Sequence, residues 1–139
     1  MINFNYETDI HLPNENILSQ WISNVILAEG FKEDEINYVF CDDVYLHKIN
    51  LEFLKHDTLT DIISFDYSVG KILQGDIFIS TERVDDNAKD YDVSFQEELH
   101  RVIVHGVLHY CGYKDKTDTD AKVMRDKENF YLEQLKENS

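Results

Sequence analysis

The sequence predicts an α/β (α+β) fold, in which a small mixed sheet of four strands packs with about five helices. Short runs that alternate apolar and polar residues, as half-buried strands do, are interleaved with helical spacing in the first half of the chain. Beyond Thr81 the spacing is helical almost to the end. The chain has 139 residues, the size of one domain, so we expect residues 1–139 to form a single domain.

Two pairs of strand and helix are predicted in the first 55 residues. The first strand alternates apolar with polar side chains, the apolar ones being Ile2, Phe4 and Tyr6. A helix follows Pro13 and ends at Gly30, with apolar side chains at helical spacing: Ile17, Trp21, Ile22, Val25, Ile26 and Ala28. The second strand shows the same alternation at Ile36, Tyr38 and Phe40. Asp42 then caps a helix that carries on one side Leu46, Ile49, Asn50 and Phe53.

The remaining elements are two strands and three helices. Residues 61–65 and 75–79 are short apolar runs around a turn at 68–70, which predicts two paired strands joined by a loop. A short helix carries Val84, Ala88 and Tyr91, and the next begins with the capping box Ser94-x-x-Glu97. The last helix is predicted from about residue 117 to 135, and the metal site proposed below lies in this helical C-terminal half.

Composition excludes several classes of protein. There are 13 Lys and Arg against 28 Asp and Glu, and the net charge of −15 repels polyanions, which argues against a general nucleic-acid coat protein. No apolar run is long enough to span a membrane, and the N-terminus lacks the features of a signal peptide. We therefore expect a cytoplasmic protein with no membrane partner, in which Cys41 and Cys111 are reduced and partly buried.

A metal-binding pattern occupies residues 105–115, H-G-V-L-H-Y-C-G-Y-K-D. His105 and His109 are four apart on a predicted helix, so their imidazoles point from one face, about 40° apart. Gly112 then ends the helix and lets Asp115 return toward the same end. Two nitrogens and one carboxylate oxygen make three ligands for one divalent ion, with Zn²⁺ expected, and leave a fourth position open. An open position allows catalysis, although two histidines at this spacing also occur on ordinary polar helix faces.

Neighbouring residues have alternative interpretations. His100 lies about 140° round the helix from His105, so it is predicted to be a separate surface or packing histidine. Asp61 and Asp76 begin strands, where a carboxylate more often binds backbone N–H groups than a metal. Tyr110 and Tyr113 flank the site and either stack on an unpaired base or pack in the core.

The spacing also resembles the metzincin protease motif, H-E-x-x-H-x-x-G-x-x-H. The catalytic glutamate of that motif corresponds to Gly106 here, and glycine has no side chain to act as a base. The missing glutamate therefore argues against proteolysis and for a reaction in which the base lies elsewhere.

Taken together, the motifs resemble the YbeY endoribonucleases, also called 16S rRNA maturation factors, whose pattern is H-G-x-L-H-x-x-G-Y-D-H. The family segment T-D-V-L-S-F is matched by T-D-I-I-S-F at 60–65, and its G-D-I strand by residues 75–77. Further similarity lies at Asn50, Ser80, Glu82 and Asn87. The resemblance implies a metal-dependent, single-strand-specific endoribonuclease that takes part in 16S rRNA 3′-end maturation and ribosome quality control.

The chain departs from the family pattern in two places. Asp115 stands where the family has its third metal-binding histidine, and a carboxylate also accepts divalent ions other than zinc. Leu54 stands where the family has an arginine, and Lys55 and His56 are the neighbours that can substitute for it.

The resulting hypothesis is metal-assisted RNA hydrolysis. His105, His109 and Asp115 hold a divalent ion that polarises a phosphodiester oxygen or activates water, and His105 is the residue taken as catalytic. The predicted RNA contacts are Lys55, His56, Arg101, Lys114 and Lys116. Lys122, Arg125 and Lys127 are equally well explained as a solvated helix face.

The expected partners are the single-stranded 16S rRNA precursor, the small ribosomal subunit and a basic ribosomal protein. The alternative function is a ribosome-assembly or binding factor with a structural metal and little catalysis.

Overall fold

The computed structural model of the chain describes residues 1–56 and 60–137. In this part of the chain the strands are β1 (Ile2–Tyr6), β2 (Lys32–Cys41), β3 (Ile62–Asp66) and β4 (Ile72–Ser80). The helices are α1 (Glu15–Ala28), α2 (Asp43–Ile49), α3 (Thr81–Asp90), α4 (Phe95–Tyr110) and α5 (Asp118–Glu137). A π-helical turn at Asn50–Leu54 follows α2. The predicted fold class and the order of the elements are confirmed.

The four strands form one mixed sheet in the order β1-β2-β4-β3. β1, β2 and β4 are parallel, and β3 is antiparallel to β4 at the edge, with Ile63 opposite Phe78. The predicted pairing of the two short strands is therefore confirmed. The order of the strands could not be predicted, because periodicity shows which face a residue occupies but not which strand lies beside it.

The main hydrophobic core lies between one face of the sheet and the helices α1, α4 and α5. Ile36, Tyr38 and Ile77 supply fully buried side chains from the sheet, and the Tyr38 hydroxyl donates to the Ile103 carbonyl of α4 at 2.8 Å. On the opposite face, α2 covers a smaller cluster of Cys41, Leu46 and Ile63. Cys41 is buried and Cys111 half-buried, both as free thiols, as predicted.

Two glycines bring α4 and the sheet into close contact. A Cβ atom at Gly106 would lie 3.1 Å from side-chain atoms of Ile62 and Ile77. A Cβ atom at Gly75 of β4 would collide with the Phe65 carbonyl and the Tyr110 hydroxyl. That hydroxyl donates to the Phe65 carbonyl at 2.8 Å, and Tyr110 is buried. Of the two interpretations of Tyr110, packing is the one that the structure supports.

The helix starts are set by the predicted capping residues. The Asp42 carboxylate accepts from the backbone N–H of Tyr45 at 2.8 Å, and the Ser94 hydroxyl accepts from that of Glu97 at 3.1 Å. After α4, Gly112 adopts a φ of +101°, which favours glycine, and the chain reverses. The Ser94 cap fixes the start of α4, the helix that carries the two histidines, and Gly112 lets the chain reverse after its end.

Two helix ends differ from the prediction. After Ile49 the winding widens into the π-helical turn, so Phe53 leaves the face that carries Leu46 and is 65% exposed. Tyr91 lies just beyond the end of α3 and is exposed, whereas Val84 and Ala88 are buried as expected. None of the described helices combines the length and the apolar character that a membrane span requires.

Candidate active site

Three side chains converge at the C-terminal end of α4. His105 and His109 are one helical turn apart, and their Nε2 atoms are 2.9 Å from each other. The turn after Gly112 brings Asp115 to the same point, with its Oδ2 atom 3.3 Å from Nε2 of His105 and 3.4 Å from Nε2 of His109. Among the described residues this is the one group of His, Cys, Asp and Glu side chains placed to hold a metal ion. The structure thus brings together the three predicted ligands.

The opposite edge of each imidazole is held by an acceptor. Nδ1 of His105 is 2.6 Å from Oε2 of Glu128, and Nδ1 of His109 is 2.9 Å from the Tyr113 carbonyl oxygen. A carbonyl or carboxylate oxygen accepts hydrogen bonds, so both Nδ1 atoms carry a proton, and the Nε2 atoms are the ones that the neutral imidazoles offer to a metal ion. This is the arrangement that metal-binding histidines use.

The donor set fits a divalent ion. Two Nε2 atoms and a carboxylate oxygen face one another at 2.9–3.4 Å, and a divalent ion bound between them satisfies all three. Tetrahedral zinc, with bonds of about 2.0–2.2 Å, sets its ligand atoms roughly 3.3–3.6 Å apart. The two distances to Asp115 match this spacing, and the two imidazoles need to separate by only a few tenths of an ångström.

Glu128 of α5 supports the site from inside the protein. Its side chain is 5% exposed, and its second oxygen accepts from the Arg101 guanidinium at 3.0 Å. Burial lowers the pKa of His105, but the hydrogen bond and charge of Glu128, with the charges of Asp115 and Asp61, outweigh burial and raise it above 6.5. Arg101 is therefore paired with a buried carboxylate, and its predicted contact with RNA stays a prediction.

A cleft of about 300 Å³ opens beside His105 between α3, α4 and α5. It is lined by four carboxylates and two guanidinium groups, those of Asp61, Glu98, Asp115, Glu128, Arg101 and Arg125. Burial raises the pKa of the Asp61 carboxyl, although the charge of His105 opposes this. Burial likewise raises the pKa of Glu98. An acidic cleft of this kind attracts a cation before it can accept a polyanion.

The two aspartates that were predicted to begin strands have different surroundings: Asp61 directly precedes β3, whereas β4 begins at Ile72, four residues before Asp76, which lies within it. Asp61 faces the cleft, where Asn87 donates to it at 3.4 Å. Asp76 binds the side-chain amide of Asn37 at 3.1 Å on the sheet, which agrees with the structural role predicted for it. The sequence pattern alone did not separate these two environments.

The other predicted RNA contacts lie on the surface. Lys114 and Lys116 are exposed on either side of Asp115, in the turn between α4 and α5. Lys55 ends the π-helical turn with a φ of +56°, and His56 follows it with an exposed side chain. These positions allow contact with a ligand, and their role in RNA binding stays a prediction.

His100 is a packing histidine, as predicted. Its ring makes an edge contact with Trp21, 6.2 Å between centroids, and burial lowers its pKa. Tyr113 binds through its hydroxyl to Glu29 at 2.6 Å and packs against the core, so its side chain is committed to the fold rather than free to stack on a base.

Sequence reasoning missed Glu128 and undervalued Arg125. Glu128 lies 23 residues beyond His105, and no local spacing connects the two. The signal in the sequence was weak: on the predicted last helix, Glu128 lies on the same face as Met124, four residues before it, and Tyr131, three residues after it. In the structure all three side chains are buried. Arg125 lines the cleft, whereas Lys122 pairs with the exposed Asp126 as a solvated face would.

Comparison with known proteins identifies the family. The model of the family described as Endoribonuclease YbeY matches residues 2–136. A protein of Flavobacterium johnsoniae named Endoribonuclease YbeY is 64% identical over 96% of this chain and 100% of its own length. One of the same name from Christiangramia forsetii is 52% identical, over 96% of both chains.

A solved structure has the same fold. The solution structure of a Thermotoga maritima protein superposes with a TM-score of 0.73 at 26% identity, covering 97% of this chain and 89% of that one. The resemblance seen in the motifs is confirmed along almost the whole chain. The chain belongs to the YbeY family of endoribonucleases, which are hydrolases that cleave RNA.

Proposed function

We propose that this protein cleaves single-stranded RNA hydrolytically, with one Zn²⁺ ion held by His105, His109 and Asp115. The observation that carries the proposal is the convergence of three ligand atoms whose histidines are both oriented by acceptors on their far edge. When bound, a divalent ion supplies Lewis-acid chemistry to a phosphodiester. Residues 1–139 act as one domain in this proposal.

The residues of the cleft have distinct parts in the reaction. Glu128 holds His105 in the tautomer that leaves Nε2 free of a proton. Asp61 faces the cleft with a raised pKa, so its carboxyl exchanges a proton closer to neutral pH than a surface aspartate does. In this proposal Arg125, which lines the cleft, binds a phosphate of the RNA, and Lys114 and Lys116 of the neighbouring turn do the same.

The cellular substrate that we propose is the precursor of 16S rRNA, matured at its 3′ end in the cytoplasm. The support is family membership together with charge. A chain of net charge −15 repels free RNA at a distance, which favours delivery through the small ribosomal subunit and a basic ribosomal protein.

Metal content tests the ligand set. Untagged protein purified without chelators should contain about one equivalent of zinc or another divalent ion by elemental analysis, and the variant Asp115→Ala should contain much less. A wild-type protein that takes up no metal even after supplementation would contradict the proposed site and favour the assembly-factor alternative.

RNA cleavage tests the reaction. His105→Ala should lower the rate of cleavage of a single-stranded RNA at least about 100-fold, because loss of a direct ligand exceeds the effect of losing an outer contact. The matched control is His100→Gln, which changes a histidine of the same helix outside the site and should cleave at nearly the wild-type rate. Equal rates for wild type and a folded His105→Ala would assign the activity to another site or to a contaminant.

A further inference from the structure

Glu29 joins three separate parts of the fold outside the cleft. It directly follows α1 as the C-cap residue, and its side chain is only 9% exposed. Its carboxylate accepts hydrogen bonds from the Tyr113 hydroxyl at 2.6 Å, from the Lys127 ammonium at 3.1 Å and from the Tyr131 hydroxyl. One carboxylate therefore connects α1, the turn after α4, and α5.

Tyr113 links this carboxylate to a metal ligand. Its backbone carbonyl accepts the Nδ1–H of His109 at 2.9 Å, and its backbone N–H donates to the Leu108 carbonyl at 3.1 Å. The far end of the same side chain is held by Glu29. Tyr113 thus has its main chain beside the site and its hydroxyl fixed to another helix.

The two histidines are oriented by different means. His105 is held by Glu128, a buried side chain of α5. His109 is held by a main-chain carbonyl in a turn whose neighbouring residues, Gly112 and Lys114, are both exposed. Exposed turns have few packing contacts that keep a carbonyl in place. The hydrogen bond between the Tyr113 hydroxyl and Glu29 supplies such a contact for the Tyr113 carbonyl.

We propose that Glu29 is a positioning residue for His109: through its hydrogen bond to the Tyr113 hydroxyl, it holds the carbonyl that fixes the His109 ring and tautomer. The proposal rests on the proposed function, since a fixed tautomer matters because Nε2 must be free to bind a metal. Loss of the anchor weakens metal binding without removing any ligand.

The chain offers a matched pair of variants. Tyr113→Phe and Tyr131→Phe each remove one hydroxyl that donates to the same Glu29 carboxylate. Of the two tyrosines, only Tyr113 also contacts His109. If Glu29 is purely structural, the two variants should change zinc affinity equally. If Glu29 positions His109, Tyr113→Phe should weaken zinc binding more than Tyr131→Phe does.

Two measurements distinguish these roles. The first is Zn²⁺ affinity, measured by competition with a chelator of known affinity. Tyr113→Phe should bind zinc about three- to tenfold more weakly. This loss is smaller than the roughly 10- to 100-fold loss expected when a group that contacts a ligand is removed, because the Tyr113 carbonyl that accepts from His109 is still present. Tyr131→Phe should stay within about twofold of wild type by the same reasoning. The second is the Nδ1–H signal of His109 in ¹⁵N-histidine NMR spectra of the metal-free protein, which should broaden or disappear only in Tyr113→Phe.

Each outcome decides the question. Equal zinc affinities, or an unchanged His109 signal in folded Tyr113→Phe, would overturn the proposal. If Tyr113→Phe fails to fold, Glu29→Gln replaces it, because the amide keeps an acceptor but loses the charge, and it should weaken zinc binding more than Tyr131→Phe does. If wild type binds no zinc, the proposed function fails, while the NMR signal, which needs no metal, still decides the role of Glu29.

Discussion

Glu128 combines two contacts that no neutral side chain can reproduce together. One oxygen accepts from Arg101 and the other accepts from Nδ1 of His105, inside a nearly closed environment. A buried carboxylate is costly unless its lone pairs are used, and here each oxygen has a donor. Glu128 therefore neutralises Arg101 and also orients the imidazole of His105.

Glu128→Gln should separate these two contacts. A glutamine has one acceptor and one donor, so it either loses Arg101 or places its N–H₂ against Nδ1–H of His105. We expect a loss of about 1–3 kcal/mol in the free energy of unfolding of the metal-free protein, measured with urea. Zinc affinity should fall about 10–100-fold. An unchanged zinc affinity would show that the His105 tautomer does not depend on Glu128.

At the scale of elements, the close contact between α4 and the sheet sets the position of His105 and His109. Gly75 leaves room for the Tyr110 hydroxyl to reach the Phe65 carbonyl, and Gly106 lets α4 lie against Ile62 and Ile77. Position 106 faces the sheet, so a glutamate there would be driven into the core. This explains in structural terms why the protease chemistry that requires this glutamate is unavailable.

Gly75→Ala should therefore be destabilising. The added methyl group meets a backbone carbonyl as well as Tyr110, so the strand or the helix has to shift, and we expect a loss of about 1–3 kcal/mol. Urea unfolding measures the loss, and Tyr110→Phe, which removes the hydroxyl alone, shows how much of it comes from the hydrogen bond. A Gly75→Ala variant as stable as wild type would mean that α4 can move away from the sheet at no cost.

The elements and their contacts differ in how well they could be predicted from the sequence. The starts of α2 and α4 were predictable because Asp42 and Ser94 act on N–H groups three residues away. The proximity of His105 and His109 was predictable for the same reason, since one helical turn separates them. Glu128 and Glu29 were not, because each reaches its partner only when distant helices pack together. Periodicity also gave no sign of the π-helical turn after Ile49, whose wider winding depends on local packing.

At the scale of the whole molecule, the free energy of unfolding should change with pH in opposite directions with and without metal. In the folded metal-free protein the pKa of His105 is raised, so the protonated form stabilises the fold. That stability is fully present below the unfolded pKa of about 6.5 and is lost as pH rises through the folded pKa. Zinc binding requires unprotonated histidines, so its contribution grows as pH rises.

The free energy of unfolding of the metal-free protein should therefore fall between pH 6 and 8, by at most about 1.4 kcal/mol per pH unit for one proton. With saturating zinc it should rise over the same range. Urea unfolding in both conditions measures the two slopes, and His105→Gln should flatten the metal-free one. A metal-free stability that does not change with pH in wild type would show that His105 and Glu128 do not pair in solution.

The exposure of Asp115 has a consequence for divergence within the family. Asp115 is 42% exposed in a surface turn, whereas the groups that orient the two histidines are buried or anchored in other helices. Exchange of the third ligand thus requires no repacking of the core, but exchange of an orienting group does. A substitution at position 115 can therefore change the metal preference of the proposed site without disturbing the packing that orients the two histidines.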